Sequence, residues 1–317
     1  MHPIDDSLIG KAVTTVTPNR RSATVSMRRA YEMAISTAEV VRDGFQYLEG
    51  IRWHDDELWF SDIPRGTVYR MGTDGELAVA ATVHKHPSGL GFTSDGTALV
   101  VTQDDCCLRR ITPSGDTEVV ADMSELAFAA NDMWVDPQGR AYVGQIGYDL
   151  FGGGEAKGSH LVVVDPDGTV RTAGKDLLCP NGVQLTSDGK TLVVAESFAQ
   201  RLTAFDVDER GELSNQRVFA QFESSEEVVD GLCVDAEGAV WVACPFLGEV
   251  RRVIDGGEVT DRVRVATDGQ LAIACALGGA DRRTLYVIAA DTTLERMSND
   301  YEGTARVEAA AVRVPAA

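Results

Sequence analysis

Short apolar runs alternate along this chain with acidic, glycine-bearing turns. The segments "RWHDDELWFSD", "GFTSDGTALVVTQ", "MWVDPQGRAYVGQ", "VQLTSDGKTLVVAES", "CVDAEGAVWVAC" and "LGGADRRTLYVIA" share one plan. Each has an apolar strand, an acidic turn and a second strand rich in Val, Leu, Trp or Tyr. The turn aspartates Asp55, Asp95, Asp136, Asp188, Asp235 and Asp281 are separated by 40, 41, 52, 47 and 46 residues. A period in the forties, with four short strands per unit, predicts β-propeller blades. Six turns predict six blades. Further strands follow each hairpin, as in "GTVYRMGTDGELAVAAT" and "GEVRRVIDGGEVTDRVRV". The expected fold is therefore all-β: one six-bladed propeller over 38–317, four antiparallel strands per blade, with residues 1–37 as an N-terminal extension. The one helix-like stretch is "MRRAYEMAISTAEVV", whose β-branched end predicts a strand from about Ala38. Closing the ring requires one outer strand of the last blade to come from the other end of the chain, which also removes sheet edges.

Fold alone does not give function, but the phase of the repeat does point to a place. The inner strand of each propeller blade begins at one rim of the central channel, so residues at that phase converge. They are Glu49, Ser88, Asn131, Asn181, Asp230 and Ala274. The sequence "CPNGVQL" around Asn181 resembles a hairpin turn, yet the better turn, Ser187-Asp188-Gly189-Lys190, follows directly. Asn181 is thus expected at the start of a strand, facing the channel. Glycine follows Glu49, Ser88, Asn181 and Asp230, which permits close backbone packing near the axis. A buried carboxylate or carboxamide needs a partner. Two acids (Glu49, Asp230) and two amides (Asn131, Asn181) facing one point form a hard-oxygen set suited to Ca²⁺, with Mn²⁺ and Mg²⁺ as alternatives and Zn²⁺ a poorer match.

Composition narrows the partners. The 317 residues are 44% hydrophobic and 25% charged, with 29 basic against 49 acidic residues and a net charge of −20. Nucleic acid and anionic membranes need clustered Lys and Arg, so neither is an expected partner. No apolar run is long enough to span a bilayer. The segment "MHPIDDSLIGKAVTT" lacks the basic and apolar regions of a secretory signal, and six scattered cysteines have no zinc spacing; a cytoplasmic chain with reduced thiols is expected. A small-molecule substrate and a monomer or small homo-oligomer complete the expectation.

Several of these segments carry a resemblance. "LEGIRWHDDELWFSDIPRGTVYRM", "NDMWVDPQGRAYVG", "PNGVQLTSDGKTLVVAES", "VVDGLCVDAEGAVWVACPFLGEVRRV" and "CALGGADRRTLYV" resemble, in order, the motifs of the regucalcin/gluconolactonase (senescence-marker-protein) family, six-bladed metal-dependent lactonases. The likeness covers about residues 38 to 292. It departs at Ile51 and Ala280, where the family usually has Pro. It implies that Glu49, Asn181 and Asp230 hold the divalent metal and that Asn131 serves metal or substrate. Ala129 stands where sugar-lactone members carry an Arg that contacts substrate hydroxyls, which implies a less polar substrate. Phe128, Met133, Tyr148, Phe151, Phe198 and Phe246 are candidate mouth residues, and Ser88, Tyr148 and Phe246 join Asn131 as candidate substrate contacts.

The expected reaction is metal-assisted opening of a cyclic ester, with the metal polarising the carbonyl and Asp230 as general base toward water; direct attack by Asp230 is a variant. The rival readings are a phosphotriesterase-like or other ester hydrolase on the same scaffold, and a non-catalytic calcium- or ligand-binding propeller. A metal-independent condensing enzyme fits the oxygen donors less well. His84 and His86 read as an exposed loop, and "FGGGEAKGSH" as a lid or a permissive insertion.

Overall fold

The computed structural model describes residues 34–317, and in them the six predicted repeats become six blades. The inner strands, blades one to six, are Leu48–His54, Pro87–Phe92, Ala130–Val135, Pro180–Leu185, Leu232–Val234 and Leu271–Gly278. Each inner strand packs beside that of the next blade, and blade six returns to blade one.

The ring closes as the repeat requires. Blade six contributes three strands from the C-terminal part of the chain. Its outermost strand is Glu39–Phe45, paired antiparallel with Thr304–Ala311. Ala34–Thr37 adds a parallel fifth strand to Val259–Arg264 of blade five. Among the described residues extended structure is thus already present at Ala34, ahead of Ala38 and inside the stretch assigned to the extension. The helix-like residues before it lie outside the described residues.

The turn aspartates earn their period by local hydrogen bonding. The Oδ1 atoms of Asp95, Asp136, Asp188, Asp235 and Asp281 each accept the main-chain N–H two residues on, at 2.9–3.1 Å. A short acid that bonds its own backbone fixes the turn without help from the rest of the fold. Blade one differs: Asp55 and Asp56 both take left-handed conformations (φ 48° and 61°), as a two-residue hairpin turn demands.

Between blades the strands interleave Val, Leu, Ile and Ala, with Phe60, Tyr142, Phe205 and Trp241 almost fully buried. Each such side chain contributes roughly 1.5–3 kcal/mol of burial. Met133 belongs to this core, fully enclosed with Leu108, Met123 and Val143, so it is no mouth residue. All six cysteines are free and buried. Among the described residues no helix is long and apolar enough to cross a membrane.

Candidate metal and active site

At the start of the inner strand in blades one to four the register slips against the neighbouring strand. The slips lie between Glu49 and Arg52, Pro87 and Leu90, Ala130 and Met133, and Pro180 and Val183. Such bulges re-aim a side chain, and each slip spans a residue singled out by its phase: Glu49, Ser88, Asn131 or Asn181. In blades two to four the residue two positions earlier is left-handed without being glycine: His86 (φ 50°), Ala129 (55°) and Cys179 (53°). Their carbonyls accept the N–H groups of Gln103, Ile146 and Ser197 at 3.0, 3.0 and 3.2 Å, one repeated bond that fixes the strand entry. Asn181 is thus held in a strand-opening bulge, and its Asn-Gly pair is no hairpin turn.

The glycine that follows Glu49, Ser88, Asn181 and Asp230 is required by crowding. A Cβ on Gly182 would lie 2.6 Å from both the Asp230 carbonyl oxygen and the Leu232 nitrogen, and one on Gly50 would lie 2.3 Å from the Ser88 carbonyl oxygen. Gly50 also needs its positive φ of 62°. The inner strands approach backbone to backbone here, which brings the Asn181 side chain onto Asp230 and Glu49 within the field of Asp230.

Glu49, Asn131, Asn181 and Asp230 are all buried, with 5–9% exposure. Asn181 Nδ2 donates to Asp230 Oδ1 and, at 3.4 Å, lies near Ser197 Oγ. The Asn181 carbonyl oxygen has no partner. Glu49 and Asp230 are electrostatically coupled: burial and the Asp230 and Asp132 charges push the Glu49 carboxyl well above the usual range. Burial, then the Asp132 charge, push Asp230 up to about 8, against the Asn181 and Gly231 hydrogen bonds. No basic side chain forms an ion pair with Glu49 or Asp230 among the described residues. Two buried carboxylates, both raised by burial and by the Asp132 charge, beside an orphaned amide oxygen, are a set that a hard divalent cation would satisfy. Among the described residues no three acidic, His or Cys side chains group closely enough to hold a metal unaided, so the carboxamides are essential to this fit.

Two channel residues escaped the sequence reading. Arg52 and Asp132 form a buried pair at 2.6 Å beside the acids. The signal was available: an Arg at an inner-strand position in "EGIRW", and an Asp directly after Asn131.

The other candidates are placed as follows. Ser88 is fully buried with its hydroxyl unpartnered. Tyr148 packs on Phe198 (ring centroids 6.1 Å apart), and burial followed by nearby Cys179 pushes its hydroxyl up to about 12. Cys179 is itself pushed up to about 12 by burial and the Asp230 charge, which makes it a poor nucleophile. Phe246 lines a different cavity of about 330 Å³ with Arg251, Arg262, Arg264 and Gln270, which none of the four oxygen-bearing residues reaches. His86 lies on the loop before the second inner strand, partly exposed, and bridges Asp104 (2.8 Å) and Asp300 (3.0 Å). Phe151, in the Gly-rich loop of blade three, meets Tyr301 of blade six edge-on at 6.4 Å. These blades stand opposite each other in the ring, so the two loops reach toward each other across the mouth. Tyr301 in turn packs on Tyr47 at 4.9 Å and donates to Gln103 Oε1; both tyrosines feel the Glu49 charge.

Residues 48–291 match the family described as the SMP-30/Gluconolactonase/LRE-like region. Regucalcin of Bos taurus is 28% identical over 262 residues, covering 81% of this chain and 87% of the bovine one. Pentonolactonase XacC of Haloferax volcanii is 28% identical over 259 residues, covering 81% and 86%. The crystal structure of a calcium-binding protein, regucalcin, from Agrobacterium tumefaciens superposes with a TM-score of 0.75 at 22% identity, over 90% of this chain and 97% of that one.

Proposed function

Because this chain belongs to the SMP-30/gluconolactonase/LRE-like family, we propose that it is a lactone hydrolase whose site holds one divalent cation, Ca²⁺ first, through Glu49, Asn131, Asn181 and Asp230. The observation that carries the reading is the buried Glu49–Asp230 pair beside the unpartnered Asn181 carbonyl oxygen. The names of a pentonolactonase and of calcium-binding regucalcin among its relatives support the same reaction and ion.

A cation bound there supplies Lewis acidity toward the lactone carbonyl. The chain does the rest. Asp230 accepts the proton of the attacking water as its oxygen bonds to the carbonyl carbon. The ring C–O bond then breaks, and the proton passes to the departing alkoxide, giving a hydroxy acid. Asn181, bonded to one Asp230 oxygen, fixes the carboxylate and leaves its other oxygen for the water. On this reading Phe128, Tyr148, Phe151, Phe198 and Tyr301 form an aromatic mouth that, with Ala129 in place of a polar contact, favours an apolar lactone over a polyhydroxylated one.

The test is turnover of aliphatic and sugar lactones with and without EDTA, then with Ca²⁺, Mn²⁺ or Zn²⁺ restored. The expected result is hydrolysis of aliphatic lactones that EDTA abolishes and Ca²⁺ restores. EDTA-insensitive turnover would overturn the metal mechanism. Cation-dependent stabilisation without turnover of any lactone or ester would point to a binding protein.

A further inference from the structure

Arg52 stands out among the channel residues as a cation buried beside acids. It is 7% exposed on the inner strand of blade one. Its guanidinium donates to Asp132 Oδ1 at 2.6 Å, to the Ile51 carbonyl at 2.8 Å and to the Met133 carbonyl. Asp132 is 1% exposed, and its Oδ1 also accepts the Met133 N–H at 2.8 Å. All three acceptors of Arg52 are hard oxygens, the kind of donor a metal cation would take. Arg52 lies within the field of Glu49, and Asp132 within the fields of both Glu49 and Asp230. When ionised, the three carboxylates and one guanidinium sum to −2, the charge that one divalent cation neutralises.

We propose that Arg52 is a built-in cation that sets the charge of the metal site. It fixes Asp132 through Oδ1, leaving Oδ2 without a partner, and offsets one carboxylate charge, and so makes the site select one divalent ion over a trivalent one. Arg52 acts through Asp132 and the site's field; it is a positioning residue and touches no substrate. The inference rests on the metal reading above and adds the residue that determines which ion is held.

Charge-stepped variants test it without any assay of turnover. R52M keeps the bulk of the side chain and moves the site to −3; D132N moves it to −1; the R52M/D132N double variant returns it to −2. Ca²⁺ and Tb³⁺ affinities are measured by calorimetry and by Tb³⁺ luminescence sensitised through Tyr47 and Tyr301. An E49Q/D230N variant gives the baseline for weak binding to the acidic surface. The ratio of Tb³⁺ to Ca²⁺ affinity should rise on the order of tenfold in R52M and fall by a similar factor in D132N, since one unit of buried charge acts more strongly on a trivalent ion. The double variant should recover the wild-type ratio, which a merely structural role for the pair would not produce. R52K, which keeps the charge but not the fork, should also stay near wild type. A ratio that is the same in all variants overturns the role of Arg52 while leaving the metal site intact. Wild-type protein that binds neither ion above the baseline overturns the metal reading and this inference with it.

Discussion

Replacing Asp230 by Asn removes one buried titratable carboxyl while keeping shape and a hydrogen-bond acceptor for Asn181. In the metal-free protein the Asp230 carboxyl is pushed from 3.8 up to about 8, first by burial and then by the Asp132 charge. At about 1.4 kcal/mol per pKa unit, ionising it in the folded state costs roughly 6 kcal/mol. The sign follows from proton counts. Between about pH 4 and 8 the unfolded chain has released this proton and the folded one still holds it, so stability falls as pH rises through that window and levels off above it. Glu49 is raised as well and titrates jointly with Asp230, so the Asn variant removes only part of the slope.

One retained proton corresponds to about 1.4 kcal/mol per pH unit, or about 2 °C in Tm for a chain of this size. Metal-free wild type should therefore lose thermal stability from pH 5 to 8. The D230N curve should be flatter by about 2 °C per pH unit and lie above wild type at pH 8. Differential scanning calorimetry in EDTA across this range makes the measurement. Repulsion from the −20 surface acts almost equally on both proteins and cancels in the difference. Saturating Ca²⁺ should flatten wild type in the same way, because the ion favours the ionised pair. Equal slopes in the two proteins, or a wild-type slope of opposite sign, would refute the claim that Asp230 is buried among like charges.

Gly182→Ala places a Cβ 2.6 Å from main-chain atoms of the next blade, so urea unfolding should show a loss of about 2 kcal/mol or more together with a weaker Ca²⁺ response. Asn181→Ala removes both the donor to Asp230 and the free amide oxygen; calorimetry should find Ca²⁺ affinity reduced at least about tenfold, with the fold intact by circular dichroism. Phe151→Ala opens the contact with Tyr301, and steady-state kinetics should give a severalfold higher KM for aliphatic lactones with kcat little changed, the mark of lost ground-state binding. Because all six thiols are buried and free, Ellman's reagent should titrate them fully only on unfolding, with no reductant needed.

What was legible in the chain was whatever repeats. The turn aspartates act through bonds two residues long, so their spacing survives in the sequence and reports the blades directly. The phase of Glu49, Ser88, Asn131 and Asn181 survives for the same reason: one bulge opens the first four inner strands, and the glycine after Glu49, Ser88, Asn181 and Asp230 marks how tightly the next blade packs. Met133 shows the limit of that reasoning. It follows Asn131 by two positions, yet the slip between Ala130 and Met133 changes which face each residue takes, and Met133 turns into the core between blades. The left-handed His86, Ala129 and Cys179 carry no glycine to announce them, and so the bulge itself was hidden. Contacts across the ring are invisible for a different reason. Phe151 and Tyr301 meet because the closed ring sets blades three and six opposite each other, and no local pattern encodes a pairing created by closure. Arg52 and Asp132 belong to the same class, joining blade one to blade three through the channel. The repeat therefore specifies where the oxygen-bearing residues stand, and long-range closure specifies the charge and the roof around them. On the proposed function, substrate and ion choice then depend on residues outside the repeating pattern, and Arg52, Asp132, Phe151 and Tyr301 are the positions where substitution should change specificity without dismantling the propeller.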